Sequence, residues 1–211
     1  MTVVTHRIAC FCETTFDAEI PSVADLSHDP EVGELILDGS FMSVTCPACG
    51  KRLSPEFPFR LTGVAAVGDI FLVPEADRAA FARGRVDYLN PMPGRVAVGY
   101  PELAEKVLIF GLGLDDRVIE IMKYYLLTGP AMAEAPHGGR DVAAFYKGVE
   151  ADRHVFNIHG MKEGEVGVAR LAQEFYSRVA SDIDRRLQEE PFCDFCVAPW
   201  VSLKRMAGQQ E

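Results

Sequence analysis

The sequence predicts an α+β protein, on three observations. Runs of strand composition fill most of the first 73 residues, apolar residues at helical spacing dominate later segments, and glycine and proline punctuate the chain between them. With 211 residues, 48% of them hydrophobic, the chain can bury a core without disulfides or oligomerisation. The predicted architecture is an N-terminal β lobe with a helical insertion over 1–73, a helical region over 74–130, and a C-terminal lobe of a β-hairpin plus a long helix over 140–211.

His6 to Cys10 and Phe16 to Ile20 have strand composition on either side of Cys10-Phe11-Cys12, which places a tight turn between two strands. Asp29-Pro30 opens a helix over about 30–38, with Asp29 as N-cap, Val32, Leu35 and Ile36 on one face, and Gly39 as the stop. Phe41 to Thr45 returns as a strand into Cys46-Pro47-Ala48-Cys49-Gly50, where proline fixes φ and glycine tolerates a positive φ. Lys51 to Val73 reads as short strands broken at Gly63 and Gly68.

Glu75 to Arg83 is a short alanine-rich helix and Arg95 to Val98 a brief strand. Pro101 to Phe110 and Asp115 to Leu127 follow as helices, each with acidic residues near its N-terminus, where negative charge is favoured. In the second, Val118, Ile121, Met122, Tyr125 and Leu126 share one face, and Glu120 and Lys123 form a surface pair. A linker is expected over 129–140. Beyond it, Val142 to Val149 and His154 to His159 pair around an Ala151-Asp152 turn, and Ala169 to Glu189 is the longest helix, with Leu171, Phe175, Val179, Ile183 and Leu187 at spacing four. The aromatic tail from Pro191 to Met206 holds the single Trp and packs on the body.

The six cysteines fall in three close pairs: Cys10 and Cys12, Cys46 and Cys49, Cys193 and Cys196. Two thiol pairs at two turns, separated by tens of residues, are the pattern of a metal site, because a pair supplies one edge of a tetrahedron and four thiolates suit Zn²⁺. Cys10, Cys12, Cys46 and Cys49 are therefore the predicted zinc ligands, and the N-terminal lobe is read as zinc-ribbon-like. Such an ion contributes on the order of 10 to 16 kcal/mol of apparent binding energy to a lobe with a slight core. Iron also suits four sulfurs and is the second choice. His6 and His28 are weaker candidates to replace a ligand. Cys193 and Cys196 are read as a redox dithiol, half of a second metal site, or two buried thiols, all three left open.

The exclusions are as informative. Net charge is −10, and each third of the chain carries more acidic than basic residues, which argues against a nucleic-acid partner. The longest apolar run, Val107 to Leu114, is too short to span a membrane, and no basic amphipathic stretch suggests surface binding. The start, MTVVTHRIACFC, lacks a signal-peptide pattern, so a cytoplasmic location is expected. Gly111-Leu112-Gly113 lacks the third glycine of a dinucleotide loop, there is no P-loop or nucleophile elbow, and His154 and His159 point to opposite faces of a strand. No catalytic residue is assigned.

Residues 7–128 resemble the CpXC domain family of bacterial proteins. The resemblance rests on Cys46-Pro47-Ala48-Cys49-Gly50, a cysteine pair near the start, and Asp29-Pro30-Glu31 to Gly39 between the pairs. It also includes a strand ending near Val73-Pro74, and Glu105 to Phe110 followed by Leu114 to Glu120. The first pair departs from the pattern: Cys10-Phe11-Cys12 has one intervening residue where two, including a proline, are expected. The resemblance implies a zinc-binding module and adds no activity. The expected function is non-enzymatic: zinc holds two turns so that the surrounding elements present a surface to a protein partner or a second copy of the chain. The alternative is a thiol redox or metal-responsive protein using Cys193 and Cys196.

Overall fold

The structure, a computed structural model, describes residues 1–130 and 142–206. The linker expected over 129–140 lies almost wholly outside the described residues. The chain divides into two compact units, Met1–Val107 and Leu108–Glu211.

The first unit is built on a five-stranded sheet in the order β1-β2-β5-β6-β7. Strands β1 (Thr2–Ala9) and β2 (Thr15–Asp25) pair antiparallel, and the turn between them carries Cys10 and Cys12. Helix α1 (Glu31–Leu37) buries Val32 and Ile36. Its N-terminal turn differs from expectation: the Asp29 side chain does not cap it and instead accepts from the chain's N-terminal ammonium at 3.3 Å. A two-stranded hairpin, β3 (Val44–Thr45) with β4 (Arg52–Leu53), carries the Cys46–Cys49 turn. The strand expected over Phe41 to Thr45 is thus reduced to its last two residues, because Phe41 and Met42 turn inward and are buried.

Strands β5 (Phe59–Val64) and β6 (Gly68–Val73) form an antiparallel pair, with β5 lying parallel to the end of β2. Gly63 does not break β5. It sits in a bulge between Thr62 and Val64 at φ +70°, where a Cβ would lie 2.4 Å from Asp25 Oδ1. After a 3-10 turn (Glu75–Asp77) and helix α2 (Arg78–Ala82), β7 (Arg95–Val98) adds parallel to β6. The segment following Val73 therefore returns to the same sheet, with Phe59, Leu61, Ile70, Leu72, Val96 and Val98 in its core. The Glu56 carboxylate fixes two helix starts at once, accepting from the Glu75 and Tyr100 N–H groups at 2.7 and 2.8 Å.

Helix α3 (Tyr100–Gly111) spans the division between the units. In the second unit, α4 (Asp116–Thr128) is capped by Asp115, whose carboxylate accepts from the Arg117 N–H. Its Glu120 and Lys123 are not a surface pair. Their side chains are only 2% and 6% exposed, the ions lie 2.7 Å apart, and Glu120 also accepts from the Leu203 N–H at 2.8 Å, which ties down the tail.

The C-terminal sheet has three strands, β8 (Ala143–Glu150), β9 (Arg153–Lys162) and β10 (Glu165–Ala172), in the order β10-β9-β8, instead of a two-stranded hairpin. The long helix expected from Ala169 to Glu189 is likewise corrected. Residues through Ala172 pair with β9, helix α5 runs Gln173–Ser181, and Asp182 at φ −120° separates it from α6 (Ile183–Arg186). Residues 165–172 carry alternating exposure as well as part of a four-residue spacing, and the free edge of β9 decides for strand. The tail forms α7 (Phe192–Phe195) and a 3-10 turn (Leu203–Arg205). Among the described residues no helix is long and apolar enough to cross a membrane.

Candidate metal centre

Two hairpin turns converge in the first unit. The β1–β2 turn closes with the Cys10 N–H donating to Thr14 O and the Glu13 N–H to Cys10 O, with Glu13 at φ +68°. The β3–β4 turn closes with the Cys46 N–H donating to Lys51 O and the Gly50 N–H to Cys46 O, with Gly50 at φ +71°. In each turn a residue of positive φ reverses the chain around its cysteines; glycine adopts that conformation without a Cβ penalty.

The four sulfurs lie within 4.8 Å of one another. Two close sulfur approaches cross between the hairpins: Cys10 to Cys49 and Cys12 to Cys46, both 3.7 Å. With a Zn–S bond of about 2.3 Å, the edge of a sulfur tetrahedron is about 3.8 Å, so the sulfurs fit one ion. Cys10 and Cys46 are buried with Ile8 and Leu53 in a small core, flanked by Phe16, Val44 and Phe57, while Cys12 and Cys49 are exposed.

The local hydrogen bonds prepare the sulfurs for a cation. The Thr14 hydroxyl and backbone N–H, followed by Cys10 and Cys49, hold the Cys12 thiol down at about 6. Cys46 is lowered chiefly by the Cys49 N–H, against burial and with help from the Ala48 N–H. At Cys10 the Cys12 N–H favours the thiolate but is outweighed by burial and by the neighbouring sulfurs of Cys12, Cys46 and Cys49, which push it up to about 12. A dication bound by the four sulfurs would displace the thiol protons they still carry.

The shortened first turn is completed by Thr14, whose role the sequence pattern did not show; a hydroxyl two residues after a Cys-x-Cys pair was the available signal. Phe11, between Cys10 and Cys12, is 84% exposed, with Lys51 Nζ 4.5 Å from its ring centroid. Neither histidine joins the cluster: His6 stacks on Phe57 at 3.8 Å, and His28 lies 3.3 Å from Asp25.

Cys193 and Cys196 are elsewhere, Cys193 on the four-residue helix α7 and Cys196 at its C-cap. The Cys196 thiol is buried and donates to Arg117 O at 3.8 Å, and Cys193 faces Asp194 Oδ1 at 3.8 Å. Burial first, then the charges of Asp194 and Glu190, raise the Cys193 thiol, the opposite of what a reactive dithiol needs. Among the described residues no third ligand joins this pair in a metal-capable cluster. His154 is fully buried in β9, facing Tyr146 Oη at 3.0 Å and stacked on Tyr176, whereas His159 is exposed, as opposite faces of a strand require.

The sequence profile of the CpXC family, described as CpXC protein, matches residues 8–123, more than half of the chain. This chain belongs to the CpXC family. An uncharacterised protein of Treponema pallidum (strain Nichols) is 30% identical over 219 residues, covering 95% of this chain and 97% of its own length. The likeness to that relative therefore extends past the CpXC region into the C-terminal unit. No solved structure matches the chain significantly.

Proposed function

We propose that this CpXC protein carries a structural zinc site of zinc-ribbon type, Cys10, Cys12, Cys46 and Cys49, which organises a non-enzymatic protein-interaction module. The observation that carries the reading is the convergence of two cysteine-bearing hairpin turns with cross-hairpin sulfur separations of 3.7 Å. Four sulfur ligands complete a tetrahedron and leave no position for water or substrate, which favours a structural over a catalytic ion. Zinc is preferred to iron because the site asks only for tetrahedral thiolate binding, with iron as the competing outcome of metal analysis.

The ion would link hairpins whose shared core is small, so metal and local fold are coupled. Phe11 at the tip of the first turn is the exposed anchor through which the module would meet a protein partner, of which a second copy is the simplest.

Elemental analysis of protein purified without added metal tests the site, with one zinc per chain expected and metal-free, fully folded protein overturning it. Sedimentation of the zinc-loaded chain over a concentration series tests association. Phe11→Ser is expected to weaken association while leaving zinc content unchanged.

A further inference from the structure

We propose that the sulfur cluster is also an oxidant-responsive site: a hydroperoxide converts it into two disulfides that cross between the hairpins, Cys10 to Cys49 and Cys12 to Cys46, with release of the metal ion. This rests on the metal-site reading above and adds a regulation to it.

Accessibility and pairing carry the inference together. Each hairpin contributes one buried cysteine, Cys10 or Cys46, and one exposed cysteine, Cys12 or Cys49. The sulfur of each exposed cysteine lies 3.7 Å from that of the buried cysteine of the opposite hairpin. Peroxide meets the exposed sulfurs first, and the resulting sulfenic acid has a resolving thiol already beside it, which favours disulfide formation over further oxidation.

The chemistry balances. An exposed thiolate attacks one peroxide oxygen; the S–O bond forms, the O–O bond breaks and hydroxide leaves. The neighbouring thiolate then attacks the sulfenic sulfur; the S–S bond forms and a second hydroxide leaves. Four thiolates and two peroxides thus give two disulfides and four hydroxides, and the metal, having lost its charged ligands, departs as the dication. The crossed pairing keeps the two hairpins joined after the ion has gone, which bonds within each turn would not do.

The test uses the full chain carrying Cys193→Ser and Cys196→Ser, loaded with zinc and titrated with hydrogen peroxide. Released zinc is followed with a chromogenic chelator, and free thiols are blocked by alkylation. Cleavage after glutamate separates Cys10 and Cys12 from Cys46 and Cys49, since Glu13 and Glu34 lie between them. Expected are one zinc released per two peroxides and disulfide-linked peptides joining the hairpins, with fragmentation assigning the crossed pairs. Reduction should restore zinc binding. Internal disulfides within each peptide, sulfinic acid as the main product, or retention of zinc after oxidation would each overturn the proposal while leaving the metal site intact. A chain that never holds metal overturns the metal reading instead, and oxidation of the reduced metal-free chain then scores the crossed pairing separately.

Discussion

Cys46–Cys49 and Cys193–Cys196 share the spacing Cys-x-x-Cys, and the structure gives them opposite settings. The first pair lies in a hairpin turn with Gly50 at positive φ, receives N–H groups that lower the Cys46 thiol, and meets a second pair from another hairpin. The second pair lies on a short helix and its C-cap, a helix whose Phe192 and Phe195 pack on Tyr124, with one thiol bonded to a carbonyl and the other raised. Spacing alone does not define a metal site; the turn that aims backbone N–H groups at sulfur, and the partner pair, define it.

The two regions also differ in what holds them. The sulfur cluster sits on a small core, whereas the tail is fixed by aromatic packing and the buried Glu120–Lys123 pair. The largest effect is therefore expected from Cys46→Ser, which should abolish metal binding and loosen both hairpins, seen as loss of amide protection around residues 8–16 and 44–53, with the second unit unaffected. Equal loosening of both regions would break the contrast.

Next in size is Glu120→Gln, which removes the carboxylate charge 2.7 Å from the buried Lys123 ammonium and should destabilise the second unit by about 3 kcal/mol. Trp200, the single tryptophan, lies in that unit and reports the change in urea titrations by fluorescence. Replacing both Glu120 and Lys123 by Met should recover much of the loss, and metal content should not change.

A smaller effect separates the regions by pH. Burial lowers the pKa of His154 below its ordinary value of 6.5, against an opposing interaction in which the Gln173 side chain favours the protonated ring. The folded state binds the proton less readily than the unfolded one, so stabilisation is full above about 6.5 and is lost as pH falls from there through the folded pKa. Urea midpoints read from Trp200 should decline over that window, and His154→Phe should flatten the decline. A wild-type midpoint that does not move would contradict the burial argument.

Much of this was legible in the sequence. The β1–β2 and β3–β4 turns, α1, α3 and α4 followed from cysteine placement, glycine stops and apolar spacing, since these elements are fixed by local chemistry. The rest depended on neighbours distant in sequence. Ala169 to Ala172 reads as helix by spacing and becomes strand because β9 offers an edge. Glu120 and Lys123 look like a surface pair, and burial under the tail reverses their meaning. Thr14 completes a turn one residue shorter than the family pattern, a contact that exists only once the chain has folded back.

The smallest effect expected is that of Cys193→Ser with Cys196→Ser: a modest loss of stability in the second unit and no change in metal content. Comparing this double variant with Cys46→Ser by elemental analysis, both purified without added metal, tests the assignment most directly. One zinc per chain in the wild type and the tail variant, with none in Cys46→Ser, is the predicted result. Zinc retained by Cys46→Ser but lost from the tail variant would move the metal site to the tail and contradict the assignment.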